Sequence, residues 1–417
     1  MGLFELLSLL ITITAVLSYA NYRYLRLPTT IGLMLISLIL SIGIGLASKL
    51  FGNQLQEQAV IILKNIDFNK TLLHGMLSFM LFAGALHVNI NDISERKWII
   101  SLLASVGVII STVIVGFLSY AIFSFISIQV PLIYCFLFGA LISPTDPIAV
   151  LAILKSIGIP KDLETVITGE SLFNDGVGVV VFLVLLDIAL GGHHIGPTDV
   201  WLLFLKEAVG GAAFGLVTGY ICYLMLKSID DYQTEILLTL ALVSGGYSLC
   251  DILHISGPIA VVVAGLLIGN RGRILAMSQR TRQHLDTFYE LIDNILNAVL
   301  FVLMGMEVLL LNITPKIFLA GIVIIPCVLF ARIVSVGFPI GIFRLFKPIH
   351  PHMVKILTWA ALRGGISIAL ALSIPKVVWR DPIVTVTYIV VVFSILVQGL
   401  TLGKFAGRLV SSGSPKR

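Results

Sequence analysis

Polar punctuation divides the chain into thirteen apolar runs, and this division limits its possible folds more than any other feature. The runs fall at about 3–20, 28–49, 72–90, 98–128, 131–155, 164–190, 200–226, 234–250, 257–269, 285–311, 315–343, 352–375 and 383–403. Most come close to the roughly 20 residues that a helix needs to cross the apolar layer of a bilayer. Only 12% of the 417 residues are charged, whereas an ordinary soluble domain carries about 25%. Mean hydropathy is +1.05. Too few charges are available to coat a water-facing surface, so a soluble fold is excluded. In lipid the backbone must satisfy its own hydrogen bonds, which leaves helices for runs of this length. The expectation is an all-α polytopic membrane protein of about 13 transmembrane helices. Residues 3–20 lack a basic lead and a small-residue cleavage pattern, so they read as a first span rather than a signal peptide.

The net charge of +5 does not point to nucleic acid, because a Lys/Arg excess in a membrane protein marks its cytoplasmic loops. Arg23, Arg26, Arg96, Lys97, Lys155, Lys161, Arg271, Arg273, Arg280 and Arg282 all fall on one set of alternate loops. The other set holds only Lys49, Lys64, Lys70, Lys316, Lys376 and Arg380. This bias predicts an N-terminus outside and a C-terminus in the cytoplasm, in a bacterial inner (cell) membrane. Cys135, Cys222, Cys250 and Cys327 sit in or beside apolar runs without metal-ligand spacing, and read as small apolar residues.

The two ends of the span series mirror each other. The fifth run is interrupted by Ser143-Pro144-Thr145-Asp146-Pro147, and the fifth run counted from the eighth is interrupted by Arg363-Gly364-Gly365. Breakers at matching positions in two halves point to an inverted-repeat transporter with a site near the membrane midplane. The division expected is a first repeat at 1–190, a connector at 200–226 and a second repeat at 234–410, with 411–417 a flexible tail. Gly211, Gly215 and Gly219 recur every fourth residue on the connector, a spacing that permits close helix packing.

Charged groups inside spans are costly and mark functional positions. The densest set is Asp146, Glu170, Ser171, Asn174 and Asp175. Pro147 removes a backbone donor and Pro144 disfavours helix before it, so the backbone at Thr145 and Asp146 is expected to be unwound. Ser171 and Asp175 are four residues apart and share one helix face, as do Glu170 and Asn174. Two carboxylates, two hydroxyls and loose carbonyls are hard oxygen donors suited to a monovalent cation. One of the two helix faces can address an ion while the other ties down neighbouring structure. Asn174 reads as a prop for the broken segment, and Glu170 as an ion-pair partner of Arg363. Arg332 lies deep in the eleventh run and needs a partner that the sequence does not identify. Asp286, Glu290, Asp293, Asn294 and Asn297 suit a solvated funnel or simple interface exposure. His193 and His194 read as solvated loop residues.

The stretches GALISPTDPIAVLAILK (139–155), GESLFNDGVGVVVF (169–182) and WAALRGGISIALALSIP (359–375) resemble the signature segments of the monovalent cation/proton antiporter family. The branch is that of bacterial sodium/proton antiporters and animal sodium/proton exchangers. The resemblance implies thirteen spans in two inverted repeats, a homodimer, and a core domain moving against a dimerisation domain. It also implies that Asp175 carries the ion and the proton, and that Thr145, Asp146 and Ser171 belong to the ion site. Asn174 and Glu170 support that site, with Arg363 opposite. One position departs from the pattern: many members have glutamate in the third span, and Ala83 stands there, followed by His87.

The activity expected is secondary antiport of Na+ (or K+ or Li+) against H+, with no cofactor and no enzymatic chemistry. Asn174 stands where a second aspartate would add a titratable group, and Arg363 keeps its proton, so electroneutral one-for-one exchange is expected. An intramembrane aspartyl protease would also use two membrane aspartates, but would show a GxGD stretch where this chain has FNDGVG. A passive cation channel needs no titratable carboxylate. Neither a phosphate loop nor an HExxH pattern is present. The choice between Na+ and K+ depends on cavity geometry that the sequence does not specify.

Overall fold

The computed structural model describes residues 3–51, 60, 75–191, 197–345 and 352–413. Lys64, Lys70, His193, His194 and residues 414–417 lie outside the described residues. Every regular element among the described residues is helical.

Helix α1 (Leu3–Ala20) continues through a π-turn to Leu25 and is followed by α2 (Thr29–Phe51). After the short α3 (Leu77–Leu86), α4 (Ile90–Ala104) and α5 (Val106–Phe125) form one long stretch interrupted at Ser105. The stretch begins eight residues before the apolar run because the Asn89 side chain caps α4 by accepting from the Asn91 amide at 2.9 Å. Next come α6 (Leu132–Ile142) and α7 (Pro147–Ser156), then the long α8 (Lys161–Ala189) and α9 (Pro197–Lys227). Helix α10 (Tyr232–Leu253) is capped by Asp231, and the hydroxyl and amide of Thr234 hold that carboxyl below its ordinary value. Helix α11 (Gly257–Leu267) precedes α12 (Gln279–Glu307) and α13 (Pro315–Arg344). The chain ends with α14 (Met353–Trp359), α15 (Gly365–Ser373), α16 (Arg380–Phe393) and α17 (Gly399–Gly413), the last two joined by a π-turn. The first three residues expected in the tail are thus part of α17.

Among the described residues, ten helical stretches are long and apolar enough to cross a membrane. Their outward faces carry large apolar side chains such as Phe4, Ile11, Tyr22, Phe125 and Leu345. A water-soluble protein rarely exposes so much contiguous apolar surface, and lipid is the solvent that accommodates it. The chain is an integral membrane protein.

Helix α8 runs through the interior, packed against α4, α6 and α11. Helix α12 lies against α2 and α3, and α13 against α5 and α16. The glycine stripe on α9 meets α11. A Cβ at Gly211 would stand 2.5 Å from the Ser256 carbonyl oxygen, and one at Gly219 would stand 3.1 Å from the Ala264 Cα. Gly215 abuts the Ala260 carbonyl more closely still. Gly215→Leu is therefore expected to force α9 and α11 apart, at a cost of about 1–3 kcal/mol. The check is a lower melting temperature in detergent. An unchanged value would mean that the contact does not hold the two helices together.

Candidate functional site

Both sequence breakers interrupt helix. Residues 143–146 leave the helical path between α6 and α7, and residues 360–364 do so between α14 and α15. The two breaks bind each other directly. The Asp146 amide donates to the Leu362 carbonyl at 2.8 Å. Arg363 Nη1 donates to the carbonyls of Ser143 at 2.5 Å and Pro144 at 2.9 Å, just past the C-terminal end of α6. A helix end presents unpaired carbonyls and a partial negative charge, and the Arg363 cation answers both. Asp146 performs the opposite service by preceding Pro147 at the N-terminal end of α7, where negative charge is favoured. Its carboxylate also reaches the second break: a Cβ at Gly364 would lie 2.7 Å from Asp146 Oδ2. Only glycine leaves room for that approach.

Helix α8 supplies the other side chains from two adjoining faces. Glu170 is 1% exposed and Arg332, from α13, is 5% exposed. Arg332 Nη1 and Nη2 donate to Glu170 Oε1 and Oε2, each at 2.8 Å. Asn174 Nδ2 donates both to Glu170 Oε1 and to Thr145 Oγ1, each at 2.9 Å. Thr145 Oγ1 lies 3.0 Å from Ser171 Oγ. A continuous polar chain thus runs from Arg332 through Glu170 and Asn174 to the unwound Thr145 and on to Ser171. Asn174 spends both amide protons in it, so its position is tied at two points.

Asp175, one turn beyond Ser171, borders a cavity of about 80 Å³ together with Thr145, Asp146, Asp293 and Gly364. A second cavity, of about 400 Å³, adjoins it and shares Gly84, Pro147, Leu172 and Asp293 with it. The larger cavity is also lined by Lys155, Lys161 and Asp92, at helix ends on the side that the charge bias assigns to the cytoplasm. Lys161 Nζ pairs with Asp92 at 3.0 Å and Lys155 with Glu164 at 3.1 Å along this rim. Ala83 and His87 line the same funnel.

The structure brings Thr145, Asp146, Glu170, Ser171, Asn174, Asp175 and Arg363 into one region. It corrects the expected ion pair. Glu170 binds Arg332, while Arg363 holds the carbonyls at the end of α6. Two buried arginines were available to one glutamate, and the sequence carries no sign of which would reach it, because only the tertiary fold brings Arg332 of α13 to Glu170 of α8. Asp293 was open between funnel and interface; it lies where the two cavities meet. Ser367, which also borders the smaller cavity, was missed. Its one sequence signal is a hydroxyl two residues beyond a glycine pair inside an apolar span.

Buried carboxylates beside unwound backbone, in a lipid-facing helical bundle and reached by a funnel from one face, define a membrane transport protein for small cations. Residues 10–406 match the family described as sodium/hydrogen exchanger, transmembrane, and the chain belongs to that family, which is one of transporters rather than enzymes. It is 48% identical over 415 residues to the Na+/H+ antiporter NhaP of Pseudomonas aeruginosa, covering 99% of this chain and 98% of that protein. It is 34% identical over 404 residues to the Na+/H+ antiporter NhaH of Halobacillus aidingensis, covering 95% of each. Its fold is similar to that of the sodium proton antiporter MjNhaP1 from Methanocaldococcus jannaschii, with a TM-score of 0.75 at 19% identity and 98% of each chain covered.

Proposed function

We propose that this protein exchanges Na+ for H+ by alternating access to Asp175, one cation per proton. The observation that carries the reading is Asp175 at the wall of a small cavity beside Asp146 and unwound backbone, with access from one face. A carboxylate there can hold a proton or a cation, and holding one excludes the other. Thr145, Ser171 and Asp146 supply further oxygens for the ion. Asn174 and Glu170 keep Thr145 in place, and Arg363 joins the two breaks. The transported Na+ is cargo, and no cofactor enters the cycle.

The architecture proposed with it has thirteen crossing segments: the ten long stretches, the short α3, and the two broken segments α6–α7 and α14–α15. They divide into inverted repeats at 1–190 and 234–410 about the connector at 200–226. The N-terminus is outside, the C-terminus is cytoplasmic, and two copies form a homodimer in a bacterial inner membrane. Relatives named as Na+/H+ antiporters support the choice of ion. Opening of the funnel on the Lys155–Lys161 side supports an inward-facing state.

Charge accounting supports electroneutrality. Glu170 is neutralised by Arg332, and in this reading Asp175 is the carboxylate that trades its proton for the cation in each swing. Purified protein in liposomes with an internal pH dye is expected to show Na+-driven proton movement whose balance point is indifferent to imposed voltage. A pH step of one unit then balances about a tenfold Na+ gradient. A balance point that moves with voltage would require a second titrating group. Adding Na+, K+ and Li+ in turn to the same liposomes tests the reading as a whole, since a response to none of them defeats it.

A further inference from the structure

Ser367 lies on α15, two residues beyond Gly365, and is 1% exposed. Its hydroxyl has no hydrogen-bond partner among the described residues, yet Ser367 borders the 80 Å³ cavity that Asp146 and Asp175 also line. An unpaired buried hydroxyl is destabilising, so an oxygen kept in this way beside carboxylates indicates something it serves when the cavity is filled. Asp293 borders the same cavity from α12 and is the one carboxylate that the cavity shares with the funnel. Asn297 Nδ2 holds it through Oδ1 at 3.1 Å while also donating to the Asp293 carbonyl at 2.8 Å, which fixes the carboxylate against its own helix.

We infer that Ser367 and Asp293 form a further cation subsite, a loading position that takes Na+ from the funnel before Asp175 and Asp146 receive it. This rests on the antiport reading above. The rest of the cavity wall is largely apolar, with Leu81, Leu172, Leu300 and Ile366, so its oxygen atoms determine where an ion can stop. The space is sufficient. One water needs about 10–15 Å³ of such volume, and 80 Å³ admits an ion that keeps part of its hydration. Ser367 and Asp293 come from helices other than the α6–α8 set that carries Asp146 and Asp175. The two positions can therefore be filled in succession, with the ion drawn inward from one to the other. Loading changes the order of events and leaves the one-for-one stoichiometry with Asp175.

Full-length protein in liposomes, with Na+ and Li+ as probes, tests the subsite. Ser367→Ala and Asp293→Asn are each expected to raise the KM for Na+ by about five- to tenfold, with kcat falling less than twofold. Ser367→Ala should also shift the ratio of Na+ to Li+ KM. Asp293→Glu and Ser367→Thr should recover most of the loss. A parallel measurement does not depend on turnover: the rise in melting temperature that Na+ gives the wild type in detergent should need several times more Na+ in either variant. KM values matching the wild type for both ions, or a loss confined to kcat, would overturn the subsite while leaving the antiport reading intact. A wild type that moves no protons in response to any cation overturns the antiport reading instead.

Discussion

Asp175→Asn is expected to reduce Na+-driven proton flux to the level of empty liposomes while leaving the fold intact. The substitution preserves shape, so the packing of α8 is undisturbed and the melting temperature should be at or above that of the wild type. It removes both things that the position offers. An amide does not take up a proton in the working pH range, and it presents no negative charge to a cation. At an effective dielectric constant of about 20, unit charges about 4 Å apart attract by about 4 kcal/mol, close to a thousandfold in occupancy. Asp146→Asn should weaken Na+ affinity more than it affects proton movement, since Asp146 borders the cavity beside Asp175 and is the ion's second carboxylate in the proposed site. The measurement is dye-reported flux at saturating Na+, paired with a melting curve of the same preparation. A well-folded Asp175→Asn protein that still exchanges would remove Asp175 from the centre of the mechanism.

The second large effect concerns stability. Glu170 and Arg332 form a two-pronged pair in the interior, and neither has water to fall back on. Loss of one partner strands the other charge and costs about 3–5 kcal/mol. Glu170→Gln and Arg332→Gln are each expected to lower the melting temperature in detergent by several degrees. The double variant should be markedly more stable than the two single effects added together predict. The same cycle run with Glu170 and Arg363 should show a smaller coupling, because Arg363 feels the Glu170 charge but spends its hydrogen bonds on the carbonyls at the end of α6. Coupling in the second cycle and none in the first would show that the ion pair is wrongly assigned. Glu170→Gln should also slow transport, since Glu170 Oε1 anchors the Asn174 amide that holds Thr145.

The helical class and the two breaks were legible in the sequence because both depend on local chemistry. Long apolar runs must be helical in lipid. Pro144 and Pro147 flanking Thr145-Asp146, like the Gly364–Gly365 pair after Arg363, couple helix-breaking residues to polar ones inside an apolar run, unlike Pro326 and Pro339, which α13 absorbs. Ser171 and Asp175 could be placed on one face from their spacing alone. Pairings across the bundle were not legible. Arg332 and Arg363 both lie deep in apolar runs, and only the tertiary packing of α13 decides that Arg332 meets Glu170. Asp293 could be read as a funnel or an interface residue because the polar first turns of α12 precede it, and the funnel that reaches it is lined by helices distant in sequence. Ser367 carried no signal beyond its polarity, since one serine in a membrane helix usually bonds back to its own turn.

Arg363 stitches the end of α6 to the second break, and the Asp146 amide is fastened to Leu362 in return. In the proposed cycle the two breaks therefore cannot act as separate hinges. They form a single keystone, and whatever motion carries the ion must take both along as one rigid piece. Slippage is left to the apolar contact where Leu300 of α12 lies over Gly365, in the wall of the ion cavity itself. The polar part of the molecule would thus hold its shape through each turnover, while an apolar joint provides the bearing on which it turns.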